Sequence, residues 1–173
     1  VRERAQRVAT AHQLRQLGLA VTTLKAEKLR GRILDVNSLA GWVEKVAWKT
    51  EMASSELYVY PEDPVYERYG GTLPERIARP VGGAWKVNRS FSRLPIGVAV
   101  VAGVSANASP ETPILWTRGL RADGRWAPEN AARPGVYGER GGYVVFLDGR
   151  VEFFEDLGEG GGRLVLGTAR GGF

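Results

Sequence analysis

The side chains able to do chemistry are few, and their spacing narrows what they could do. His12 is the sole histidine and there is no cysteine. A multi-histidine or thiolate metal site is therefore excluded, and a Ser-His-Asp relay could draw only on His12. That residue falls among basic positions of a helical stretch with no activating partner beside it, and it reads as a surface or interface residue. Asp148-Gly149 stands between two apolar runs and reads as turn chemistry, not as a catalytic carboxylate. Glu155, Asp156 and Glu159 border a glycine-rich loop and could meet Ca²⁺, but their spacing matches no EF-hand loop, so they read as solvated acids. The GEGGGR segment at 158–163 lacks both the Gly-Lys-Ser/Thr ending of a phosphate cradle and a following helix. The five tryptophans are scattered along the chain and read as core or interface anchors, not as a carbohydrate platform. No catalytic, cofactor-binding or metal-binding residue is expected.

The elements that position these residues follow from periodicity. From Val1 to Leu29 there is no proline, and Leu14, Leu17, Val21 and Leu24 recur at spacings of three and four. This predicts one long helix with a single apolar face, which Val8 and Ala11 are expected to extend, and with Gly31 as its stop. A second helix is expected over 38–50, capped by Asn37 or Ser38, with Leu39, Val43 and Val46 on one face beside Trp42. Residues 57–60 form a β-like patch closed by prolines, and 61–92 read as irregular with short ordered pieces, supported by Tyr69, Trp85 and Phe91. Beyond Leu94 the pattern turns strand-rich. PIGVAVVAGVSA and PILWTRG are apolar runs, RADGRW is a turn, and residues 143–147 and 151–154 flank Asp148-Gly149 as a hairpin. RLVLGTA at 163–169 offers a last strand. The expected plan is α+β: a long helix packed on an antiparallel sheet through Leu14, Leu17, Val21 and Leu24, with a short second helix and an irregular connection. At 173 residues with 43% apolar content, one domain is expected, in segments 1–30, 31–93 and 94–173.

Charge is uneven. Residues 1–32 hold eight basic groups and two acidic ones, a balance of +6, which leaves −1 for the rest of a chain whose net charge is +5. The excess lies on the helix, where it reads as solvated or membrane-proximal and lends only slight support to nucleic-acid binding. No stretch reaches the roughly 18 apolar residues of a membrane span.

HQLRQLGLA at 12–20 and FLDGRVEFF at 146–154 together resemble the bacterial type IV pilin-like proteins, specifically those with a C-terminal H-x9-DG motif. The motif's histidine position is Gly138 here, so no role tied to that histidine is carried over. TPILWTRGLRADGRW resembles the family's middle strand, and YPEDP at 60–64 stands where many relatives have a Cys-Pro-Ser-Asp-like element, without the cysteine. The resemblance implies a structural subunit of a type IV pilus-like filament or of a type II secretion pseudopilus. The alternative is a minor pilin whose head binds DNA or an extracellular surface. It further implies that residues 1–29 are the polar half of a longer helix whose apolar half, absent from this sequence, anchors the subunit in the inner membrane. The implied partners are other pilin or pseudopilin subunits, on the periplasmic or extracellular face of the cell. The chain alone is then expected to be monomeric.

Overall fold

The computed structural model describes residues 2–27 and 30–157. Helix α1 spans Arg2–Glu27, about 39 Å at 1.5 Å per residue. Leu14, Leu17, Val21 and Leu24 are all buried along it. Val8 is not: it is 64% exposed. Six residues separate it from Leu14, about 600° of helical rotation, so it points roughly 120° off the buried stripe. Ala11 is half-buried, and the polar Thr10 is the buried residue in this part of the helix. Gly31, expected as the helix stop, has φ +87°, and Lys28 and Leu29 between it and the helix lie outside the described residues.

After the two-residue strand β1 (Arg32–Ile33), helix α2 spans Leu39–Thr50. The Ser38 hydroxyl accepts the Gly41 N–H at 3.0 Å as its N-cap. Trp42, Val43 and Val46 are buried, and Trp42 meets Tyr58 edge to face at 6.5 Å. Residues 57–60 are not a strand. Ser55–Leu57 form a 3-10 turn, with Leu57 N–H and Tyr58 N–H donating to Ser54 and Ser55 carbonyls. Four apolar residues fit a buried turn as well as a strand, and the Ser55 hydroxyl ties this one to the Pro74 carbonyl. The connection that follows is more ordered than expected. It holds the five-residue helix α3 (Pro64–Arg68) and a hairpin of β2 (Ala78–Val81) with β3 (Ala84–Val87). Gly82 and Gly83 both have positive φ, +58° and +80°, which is the type I′ geometry that a Gly-Gly pair allows.

PIGVAVVAGVSA divides into β4 (Val98–Val100) and β5 (Val104–Ser105). They join different sheets, with β5 pairing β1. The main sheet is antiparallel with order β4-β6-β7-β8, where β6 is Pro113–Thr117, β7 Gly142–Phe146 and β8 Val151–Phe154. The β7–β8 turn is a three-residue loop, with Phe146 N–H donating to the Arg150 carbonyl and Gly149 N–H to the Phe146 carbonyl, both at 2.9 Å. Gly149 has φ +87° and Asp148 Oδ1 accepts the Arg150 N–H. Only the glycine needs the left-handed region, as in a type I turn closed by a bulge. The RLVLGTA run lies outside the described residues.

Helix α1 lies on β7 and β8, and Gly18 sets how closely it does so. A Cβ at Gly18 would stand 2.7 Å from Val145 Cγ1. Gly18→Ala is therefore expected to lower stability by about 1 kcal/mol, because overpacking of 1–3 kcal/mol outweighs a helix-propensity gain of about 1. In a Val145→Ala background the same change is expected to raise stability. Urea denaturation of the four-member cycle checks it, and equal effects in both backgrounds would rule out the contact.

Candidate functional site

The segments singled out from the sequence converge on one joint. HQLRQLGLA lies on α1 and FLDGRVEFF forms the β7–β8 turn and β8. Gly18 of the first faces Val145, the residue just before the second, and Gly149 Cα of the second lies 3.9 Å from the Gly18 Cβ position. The turn is fixed from its other side as well, since Leu147 and Asp148 N–H groups donate to the Thr112 and Pro110 carbonyls. Leu14, Leu17, Val21 and Leu24 supply the apolar part of this joint.

YPEDP supplies the polar part. Glu62 Oε1 accepts hydrogen bonds from the Thr10 hydroxyl of α1 and the Tyr137 hydroxyl, each at 2.6 Å. Burial, then the hydrogen bond to Glu62 and its charge, push the Tyr137 phenol well above its usual pKa. Asp63, fully buried, caps α3 through the Val65 N–H. It also takes a bidentate grip from Arg118, with Nη1 to Oδ2 at 2.9 Å and Nη2 to Oδ1 at 2.5 Å. Arg118 donates further to the Ile96 and Pro134 carbonyls at 2.8 and 2.9 Å. One guanidinium thus fastens α3, the approach to β4, the end of β6 and the loop before β7. The pair lies 55 positions apart, so nothing local in the sequence announced it.

The first three turns of α1 are held differently from the rest. Glu3 bonds Arg140 at 2.6 Å, and the Arg7 guanidinium stacks over the Phe153 and Tyr137 rings at 4.9 and 5.4 Å. The Tyr143 hydroxyl donates to the Arg7 carbonyl. Arg7 Nε and Glu62 Oε2 are buried without a partner among the described residues, so this polar seat is incompletely satisfied.

The outer side of α1 carries a second row. Val8, His12, Arg15, Leu19 and Thr22 alternate at spacings of four and three, which aligns them on one face opposite the buried stripe. Leu19, like Val8, is 64% exposed. A cavity of about 350 Å³ runs beside this row, between His12, Arg15, Gln16, Leu19 and the Asp148-Gly149 turn. The His12 ring nitrogen meets the Gln16 amide at 3.1 Å, a surface pairing with no carboxylate or nucleophile in it. Glu155 and Asp156 are exposed and Glu159, with the GEGGGR segment, lies outside the described residues. Among the described residues no cluster of three acidic, histidine or cysteine side chains is arranged to hold a metal, and no helix is long and apolar enough to cross a membrane. The arrangement is a mechanical joint with an exposed helix face. Comparison with protein-family models, with curated proteins and with solved structures finds no match to this chain.

Proposed function

We propose that the chain is the head and polar helix half of a type IV pilin-like subunit, a structural component of a pilus-like filament or secretion pseudopilus. One observation carries this reading: HQLRQLGLA, through Gly18, packs on the β7–β8 hairpin at Val145, the residue just before FLDGRVEFF, and at Gly149 within it, more than a hundred residues away in sequence. The segments that carry the resemblance are therefore the segments that hold the helix on the sheet. The order of elements, one long helix followed by an antiparallel sheet, supports the same reading. The exposed row Val8, His12, Arg15, Leu19 and Thr22 is the face through which neighbouring subunits would meet the helix. In this reading the apolar continuation of α1 anchors the subunit in the inner membrane before assembly and packs in the filament core afterwards.

The coding sequence upstream of Val1 tests the proposal. A leader ending in glycine, followed by about 20 apolar residues continuous with α1, is the expected finding. An upstream sequence without such a segment overturns the reading. As a second arm, the chain of residues 1–173 is expected to sediment as a monomer and to form no fibres by negative-stain microscopy. Ordered fibres from it would place the assembly interface in the head and would remove the role given to the continued helix.

A further inference from the structure

We propose that the cleft between α2 and the β2–β3 hairpin binds a neutral saccharide, with Trp48 as the stacking platform. The fold brings Trp48 and Trp85 to the walls of one cleft of about 380 Å³, within the size range of small-molecule sites. Scattered along the sequence, the tryptophans read as core or interface anchors; the fold brings these two, from different elements, together. Trp48 is 52% exposed, an unusual state for the largest apolar side chain. The Lys49 ammonium sits 4.5 Å from its ring centroid, so the ring has one cation partner already and a sugar would add to its other face. Trp85 lines the same cleft and is 9% exposed. Gly83, at the hairpin tip, has φ +80° and open space where a Cβ would stand, which keeps that rim low.

The polar groups converging on the cleft select the ligand class. Glu44 is held in place by the Val87 N–H, which its Oε2 accepts at 3.2 Å, and Lys45 and Lys86 stand beside it. A carboxylate and ammonium groups side by side suit a ligand whose groups both donate and accept, as hydroxyls do. Charge argues against a polyanion. Of the two cations lining the cleft, Lys86 faces Glu44 at 4.0 Å, which leaves Lys45, one cation where nucleic-acid binding draws on several. An uncharged ligand with a flat C–H face and a ring of hydroxyls fits both the indole and the ion pair, and a pyranose has that form. The site is lined by α2, the Gly83 turn and β3, so it stands or falls separately from the filament reading.

The test is an immobilised array of neutral gluco-, manno- and chito-oligosaccharides, with sulfated glycans and single-stranded DNA included, followed by calorimetry on whichever neutral sugar binds. The chain is expected to retain at least one neutral class, with affinity unchanged between about 0.1 and about 0.5 M salt. Trp48→Ala, which removes an exposed ring and leaves the core intact, is expected to weaken binding at least about tenfold at unchanged melting temperature. Glu44→Gln, which keeps an acceptor for Val87, is expected to weaken it as well. Retention of no neutral sugar, undiminished binding by Trp48→Ala, or retention confined to sulfated glycans and DNA and lost at the higher salt overturns the proposal.

Discussion

Replacing Arg118 by Met is expected to lower the stability of the fold by about 3–5 kcal/mol, the range for breaking a buried ion pair from one side. Asp63 has no exposed surface, and without the guanidinium its carboxylate keeps only the Val65 N–H. The Ile96 and Pro134 carbonyls lose a donor at the same time. Met retains most of the side-chain volume, so the loss reports the pairing more than a cavity. The companion change Asp63→Asn preserves the cap on α3, since asparagine caps as well as aspartate. The double variant Asp63→Asn with Arg118→Met is therefore expected to be more stable than Arg118→Met alone. Chemical denaturation of the three variants measures this. A double variant less stable than both singles, by the sum of their losses, would show that the two residues act independently.

Alkaline pH should unfold the domain abruptly. Tyr58 and Tyr60 are wholly buried, and burial raises both phenols well above the usual value, with the charges of Tyr58, Glu62 and Asp63 adding to the effect at Tyr60. Tyr137 is raised in the same sense. The unfolded chain releases these protons near pH 10, while the folded chain holds them. Above that pH the folded state binds more protons than the unfolded one, so stability falls as pH rises. Each group contributes about 1.4 kcal/mol per pH unit, about 4 kcal/mol per unit for the three together. Against a typical total of 5–15 kcal/mol, the transition is complete within a few units. Melting temperature is expected to be insensitive to these phenols below about pH 9.5 and to fall steeply beyond it. Tyr58→Phe, whose hydroxyl makes only a long 3.4 Å contact with the Met52 carbonyl, should reduce the slope by about a third. An identical slope in that variant would contradict the burial argument.

The parts of the fold that were legible in the sequence are those fixed by neighbours in the chain. The apolar spacing of α1, the Ser38 cap of α2 and the glycine at 149 each act within a few residues, and the structure places all three accordingly. The β2–β3 hairpin carried a local signal too, the Gly82-Gly83 pair, which was obscured by the prolines around it. Residues 57–60 were misread because a short apolar run fits two buried conformations, and tertiary bonds from Ser55 chose between them. Val8 was misassigned by counting apolar residues without counting rotation. The Asp63–Arg118 grip and the Trp48–Trp85 cleft were not legible at all, since each depends on how distant elements pack.

The uneven seating of α1 gives the molecule a direction of compliance. From Leu14 onward the helix is held by buried apolar side chains and keyed by Gly18 against Val145, whereas before it the contacts are an exposed ion pair, a stacked guanidinium and the Thr10–Glu62 bond. Exposed ion pairs contribute little and exchange readily with water. A tensile load along the helix axis must shear the whole keyed half at once, because Val145 sits in the notch that Gly18 leaves. A transverse load at the N-terminal end meets the polar contacts one at a time and peels them. The joint is stiff in tension and yielding in bending, so in the filament proposed above neighbouring subunits would tilt against one another without losing their hold on the helix.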